Sequence, residues 1–310
     1  MRALLIANSN EQDAGFVGQR FADHDFSFTH YAREYPNEWR SIDGIDLVVH
    51  LGSAWSVYWP DVARNVEAEA DLMREAHRRG IPVYGVCFGA QMLAHALGGS
   101  AEKARKAEIG WHEVITTEAN KRLAGKWMQW HYDTFTPPAG AEVLGLSDAG
   151  PQALRIGRSF ATQFHPEANE AIVSGWMSGE GAMELVNAGI SPSDLMDETR
   201  REVERSGPAA AQIVDWFLGE VASTLGYSEC SSFTRAFGRW AGMGPAEWRS
   251  RRGRTAASRS SAPCSRAGTT RRGARARATP SPSRPPSATG TGSPPRWPTP
   301  SSTRWPGRRS

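Results

Sequence analysis

Three short apolar runs constrain this chain before anything else does. Residues 3–7 (Ala-Leu-Leu-Ile-Ala), 46–51 (Asp-Leu-Val-Val-His-Leu) and 81–86 (Ile-Pro-Val-Tyr-Gly-Val) have the length and continuity of strands buried on both faces, as in a parallel sheet. Between the last two, residues 61–79 place Val62, Val66, Leu72, Met73 and Ala76 at helical spacing, with Gly80 closing the helix and Pro82 beyond it. Residues 89–97 read as a second helix, stopped by Gly98-Gly99. Strand, helix, strand, helix in that order predicts an α/β fold with a mostly parallel sheet flanked by helices. Residues 101–164 are richer in strands, over 111–117, 126–130, 142–146 and 159–164. Helices return from about Glu167, then at 193–205 and 209–223, with Pro208 marking a break between them.

Charge divides the chain. Residues 251–310 hold 14 Arg and no Lys, Asp or Glu, which leaves 22 basic against 33 acidic side chains in residues 1–250. The body is acidic, and the overall +3 belongs to the tail, so the basic balance is no argument for nucleic-acid binding. The same 60-residue tail lacks Leu, Ile, Val, Met, Phe and Tyr. It cannot bury enough apolar area to offset its conformational entropy and reads as disordered. It is either out-of-frame read-through of GC-rich DNA or a basic tail for polyanions. The three cysteines, Cys87, Cys230 and Cys264, are far apart and show no metal-ligand spacing. With no signal peptide and no stretch near the ~20 apolar residues that span a bilayer, the expected setting is cytoplasmic with reduced thiols.

Gly85-Val86-Cys87-Phe88-Gly89 lies between a predicted strand and a predicted helix. The spacing is that of a nucleophile elbow with Cys in the place of Ser. A sharp turn lifts the sulfur from the sheet edge, and the flanking glycines admit strained angles and close packing. The helix N-terminus favours a thiolate, and the Phe88 amide is placed to stabilise an oxyanion. A Cys nucleophile needs a base that is itself oriented by a third group. His165-Pro166-Glu167 follows the apolar run 160–164, 78 positions after Cys87. Together with Cys87-Phe88-Gly89-Ala90-Gln91-Met92-Leu93, this resembles the class I glutamine amidotransferases, especially stand-alone members similar to the amidase domain of GMP synthase. The resemblance covers residues 1–223 and implies a catalytic triad of Cys87, His165 and Glu167. It also implies cleavage of the γ-amide of glutamine or a γ-glutamyl compound through a thioester, with no metal or organic cofactor.

The resemblance extends to a substrate pocket. Gly52 and Ser53, in Leu51-Gly52-Ser53-Ala54, align with the family's Gly-Gly-Pro loop, whose amides form the second half of the oxyanion hole. Ser53 and Ala54 depart from that pattern. Gln129-Trp130-His131-Tyr132-Asp133 resembles the segment lining the glutamine site, so Trp130, His131 and Asp133 are implied pocket residues, with Phe88 and Gln91. Glu108-Ile109-Gly110-Trp111 also matches and reads as structural. His50 reads as buried structure, and His24, His30, His77, His95 and His112 as surface or core residues.

Residues 224–250 resemble the second helix-turn-helix of AraC-type regulators, without the first. A half-unit of this kind argues against DNA as a partner. Three functions follow. The first is an amidotransferase that feeds ammonia to a separate synthetase subunit. The second is a γ-glutamyl peptidase acting alone. The third is a transcription regulator with an amidase-like sensor, which the complete Cys-His-Glu set argues against. No membrane partner is expected.

Overall fold

The computed structural model describes residues 1–224, with side chains through residue 220. The helix-turn-helix-like fragment beyond Thr224 and the Arg-rich tail, with Cys230 and Cys264, lie outside the described residues.

In chain order the elements are β1 (Arg2–Ala7), α1 (Gly15–Asp23), β2 (Ser27–Ala32), β3 (Leu47–His50), α2 (Ala63–Arg78), β4 (Val83–Val86), α3 (Phe88–Ala96), β5 (Ser100–Val114) and β6 (Gly125–Thr136). They continue with β7 (Glu142–Ser147), β8 (Gly150–Ile156), β9 (Ser159–Thr162), α4 (Glu170–Trp176), α5 (Glu180–Ala188) and α6 (Pro192–Thr224). Seven strands form one sheet in the order β2-β1-β3-β4-β9-β8-β7. Strands β2 to β9 in that order are parallel, and β8 and β7 add an antiparallel edge. β5 and β6 form a separate two-stranded antiparallel ribbon, with one isolated bridge from Met128 of β6 to His165. The α/β architecture is the one expected.

Alternation along the buried strands builds two cores, one on each face. Ala3, Leu5, Leu47, Val49, Tyr84 and Phe160 meet α1 and α6 through Phe21, Ile213 and Phe217. Leu4, Ile6, Val48 and Val83 meet α2 and α3 through Ala70, Met73, Phe88 and Leu93. The predicted strands at residues 3–7, 46–51 and 81–86 are β1, β3 and β4, each in a central position and buried on both faces.

Several expectations need correction. Pro208 breaks nothing: α6 runs without interruption from Pro192 to Thr224. Proline removes one backbone donor from a helix interior, at a cost of ~3 kcal/mol or more, and here burial of Ala210, Ile213, Val214 and Phe217 outweighs it. The adjacent Gly207 lets the Phe16 ring close in, since a Cβ there would lie 3.2 Å from it. The strand expected at 111–117 begins at Ser100, because its first half is polar and solvent-facing and gives no apolar signal. Strand β2 is an exposed edge, and α1 buries only Val17 and Phe21, so neither shows the continuous pattern that marks β1. β8, with Pro151 and Arg155 in its sequence, escaped for a similar reason.

The glycines of the elbow set how closely α3 can sit on the sheet. A Cβ on Gly89 would lie 2.2 Å from the His50 carbonyl oxygen, and one on Gly85 would lie 2.7 Å from the Gly89 carbonyl oxygen. Replacing Gly89 by Ala should gain up to ~1 kcal/mol in helix propensity but force backbone apart from backbone. We expect net destabilisation of roughly 1–3 kcal/mol, read from the urea midpoint. A midpoint equal to or above that of the unmodified chain would mean that the contact is slack.

Candidate active site

The carboxyl end of the parallel sheet gathers the candidate residues. Cys87 follows β4 and caps α3, with φ 51° and ψ −106°. A non-glycine residue at positive φ is uncommon and strained, and such strain persists only where the surroundings enforce it. Here the Cys87 amide donates to the Thr162 carbonyl on β9 at 2.7 Å, while the glycines on either side admit the crossing chains. The strained angle thus belongs to the cysteine itself. Gly85 and Gly89 supply close packing and are not at positive φ, a correction to the expectation that they carry both.

His165 follows β9 and is held by its own backbone. Its amide donates to the Met128 carbonyl at 2.9 Å, which bridges β6 to the end of β9. The imidazole Nδ1 lies 2.7 Å from Glu167 Oε1, and both side chains are buried. The ring of Trp176 meets the imidazole edge to face at 4.6 Å. Glu167 is fixed in turn through its backbone. Phe16 donates to its carbonyl at 3.1 Å, and Gly15, at φ 46°, leaves the space that this approach needs.

Burial by itself would lower the His165 pKa, but the charges of Glu167 and Cys87 and the hydrogen bonds to both outweigh it and push it up to about 10. The second ring nitrogen, Nε2, is buried without a settled hydrogen-bond partner. The imidazole thus lies between a carboxylate, bonded at Nδ1, and the Cys87 sulfur, and both neighbours favour its protonated form.

Gln163 was not anticipated. Its buried Nε2 donates to Cys87 Sγ at 3.5 Å, and its Oε1 accepts from Gln91 Nε2 at 3.3 Å. Gln91, expected to line the pocket, is almost wholly buried and reaches the sulfur through Gln163. The residue type gave no signal, since Gln163 sits inside an apolar run and its role depends on which way the end of β9 faces.

The other expected pocket residues divide into two groups. Gly52, Phe88 and Trp130 border the sulfur. A Cβ on Gly52 would lie 3.2 Å from His165 Cε1 and 3.6 Å from Cys87 Cβ. Phe88 opens α3, where backbone N–H groups are free of intrahelical partners. The Trp130 carbonyl lies 4.0 Å from Cys87 Sγ. Ser53, His131 and Asp133 instead hold neighbouring segments together. Ser53 Oγ donates to Asn8 Oδ1 at 2.7 Å and accepts from the Trp55 amide. Asp133 accepts from Ser56 Oγ, and from Tyr58 OH at 2.7 Å, which straps loop 52–59 to β6. His131 lies buried between the Asp133 carbonyl (2.9 Å) and Glu108 Oε2 (3.3 Å). Burial would raise the Glu108 pKa, but hydrogen bonds from His131 and Ser147 bring it below the ordinary value, consistent with the structural part expected of Glu108.

Residues 59–171 match the family model described as Glutamine amidotransferase class-I. Among curated proteins, the chain is 32% identical over 174 residues to a GMP synthase [glutamine-hydrolyzing] of Aeropyrum pernix, covering 52% of this chain and 32% of that one. It is 35% identical over 139 residues to an enzyme of the same name from Thermus thermophilus, covering 41% and 27%. The chain thus spans about a third of the length of these relatives. Among solved structures, a glutamine amidotransferase from Thermotoga maritima superposes with a TM-score of 0.64 at 27% identity, covering 70% of this chain and 97% of that one. A glutamine amido transferase from Methylobacillus flagellatus shares the fold, with a TM-score of 0.60 at 20% identity over 70% and 93% of the two chains. Among the described residues no helix is long and apolar enough to cross a membrane.

The charge arrangement predicts a titration. Replacing Cys87 by Ala removes one of the two groups that raise the His165 pKa, so that pKa should fall from about 10, measured by NMR of the imidazole. The folded value lies above the ordinary 6.5, so the stability tied to this proton is complete below pH 6.5 and is lost as pH rises towards 10. An unchanged pKa in the variant would rule out the coupling.

Proposed function

Since the chain carries a class I glutamine amidotransferase domain, we propose that Cys87, His165 and Glu167 hydrolyse the γ-amide of glutamine through a covalent thioester. The observation that carries this reading is the Glu167–His165 pair at 2.7 Å, facing a cysteine strained to φ 51° at the start of a helix.

The Cys87 thiolate attacks the γ-carbonyl carbon, and the resonance-stabilised amide becomes a tetrahedral oxyanion. The amides of Phe88 and Gly52 donate to that oxygen. The imidazolium of His165 gives its proton to the departing nitrogen, the C–N bond breaks, and ammonia leaves a γ-glutamyl thioester. Formation of the thioester removes the negative charge from sulfur, and with it one of the two interactions that keep the imidazole protonated. The ring, now neutral, takes a proton from water as that water attacks the thioester. Collapse expels the Cys87 thiolate and releases glutamate. Glu167 keeps Nδ1 protonated and the ring in register. Gln163 supports the sulfur in its anionic form, and Trp130 walls the site beside it.

We place the ammonia acceptor on a separate synthetase subunit. The support is that the GMP synthases named above extend well beyond the third of their length matched here. Residues 1–223 form the amidase unit in this reading.

The full chain incubated with glutamine should release glutamate, and the Cys87→Ala variant should not. Glu167→Gln should lower turnover by roughly 10²- to 10⁴-fold with a smaller effect on KM. Mass spectrometry should find Cys87 acylated by a glutamine-like electrophile. Labelling without turnover would indicate that the synthetase must bind first. The absence of both labelling and turnover would overturn the triad, and turnover of a γ-glutamyl dipeptide alone would reassign the substrate.

A further inference from the structure

A charged cluster lies buried behind the elbow and takes no part in the chemistry above. Arg33, just after β2, is fully buried, as are Glu69 on α2 and His50 on β3. Arg33 Nε lies 3.5 Å from Glu69 Oε1, and Glu69 Oε2 lies 3.0 Å from His50 Nε2. Desolvating such a group of charges is unfavourable, and hydrophobic residues of similar volume often serve stability as well. The geometry around Arg33 supplies a reason for its presence.

Arg33 Nη2 donates to the Leu51 carbonyl at 3.0 Å, with a longer contact to the Ile6 carbonyl at 3.5 Å. The Leu51–Gly52 peptide is trans, since the chain has no cis peptide among the described residues. In a trans peptide the carbonyl and the following N–H point in opposite directions. With the carbonyl drawn to Arg33, the Gly52 N–H faces the other way, and a Cβ on Gly52 would meet His165 Cε1 at 3.2 Å and Cys87 Cβ at 3.6 Å. The same guanidinium sits 4.7 Å over the ring of Phe88, whose amide is the other oxyanion donor. One buried cation therefore touches the peptide or the side chain of both halves of the proposed oxyanion hole. Rotation of the Leu51–Gly52 peptide would break this bond, leave a buried guanidinium N–H unpaired, and turn a carbonyl oxygen towards the developing negative charge.

We infer that Arg33 is a positioning residue that locks the Leu51–Gly52 peptide with its N–H towards the reacting carbonyl, and that Glu69 and His50 hold Arg33 in place. This rests on the amidohydrolase reading. It also accounts for a loop that functions with Ser53 and Ala54 in place of a second glycine and a proline: orientation comes from beneath the loop, through Arg33, and from its flank, through the Ser53–Asn8 hydrogen bond.

The test separates reactions that need an oxyanion hole from one that does not. The full chain is compared with Arg33→Met combined with Glu69→Gln, which removes both charges together, and with Arg33→Lys, which keeps the charge without the planar fork. Circular dichroism and urea midpoints establish that each variant folds. Alkylation of Cys87 by iodoacetamide passes through no oxyanion, whereas glutamate release and reversible capture of glutamate γ-semialdehyde both do. We expect glutamate release and aldehyde affinity to fall roughly 10- to 100-fold in the double variant, with alkylation within about twofold. The lysine variant should fall between the two. Equal losses in all three readouts, or no loss in the oxyanion-dependent two, would overturn the inference. An unmodified chain that alkylates at Cys87 but neither releases glutamate nor captures the aldehyde would sink the amidohydrolase reading, and this inference with it. Where the aldehyde is captured, the ratio between variant and unmodified chain decides the inference by itself.

Discussion

The close crossing of the β4–α3 turn over β3 is the contact on which the site depends. Backbone meets backbone there without an intervening side chain: Gly89 lies against the His50 carbonyl, and Gly85 against Gly89. That approach holds Cys87 in a conformation that an L-residue avoids in isolation, and the Cys87–Thr162 hydrogen bond ties it to the neighbouring strand. The strain is local, but what maintains it is spread over the sheet. Strands β1, β3 and β4 are buried on both faces, so the turn cannot relax without disturbing two cores at once.

Two histidines near the same end of the sheet show how surroundings separate similar groups. His50 and His165 are both buried, and burial lowers the pKa of each. For His50 that effect prevails, aided by the Arg33 charge and opposed by Glu69, so the ring is held below its ordinary value. For His165 the carboxylate and the sulfur prevail. The Arg33 charge is the smallest of the effects at His50, after burial and Glu69, whereas His165 is raised by the sulfur as well as by a carboxylate. The buried arginine acts on His50, through Glu69 and by its own charge, and is not among the groups that shift His165.

The sequence makes legible whatever depends on a local pattern. Continuous apolar runs mark the central strands, Gly80 marks the end of α2, and the Gly-x-Cys-x-Gly spacing marks the elbow. His165 and Glu167 are expected on chemical grounds, because a cysteine nucleophile would need a base and an orienter, and the structure places those two side chains 2.7 Å apart. Features set by tertiary contact stay hidden. Glu69 sits on the inward face of an amphipathic helix where pattern alone expects an apolar residue. Arg33 looks like any surface arginine until the sheet closes over it. His131 and Asp133 fall in the expected segment, yet their partners are Glu108, Ser56 and Tyr58, and no spacing rule connects those positions. Pro208 misleads in the other direction, since burial of the residues after it sustains a helix that local preference would end.

The clamp on Glu167 has a consequence for the order in which the molecule matures. The turn that carries Cys87 joins two adjacent elements, whereas His165 lies 78 positions later in the chain. Its hydrogen-bond partner Glu167 is reached from near the start of the chain by the Phe16 amide, which donates to the Glu167 carbonyl. A chain stopped short of β9 holds the cysteine but neither His165 nor Gln163, whose side-chain amide donates to the sulfur. The contacts around the Cys87 sulfur are thus complete only when sequence-distant segments have closed on each other.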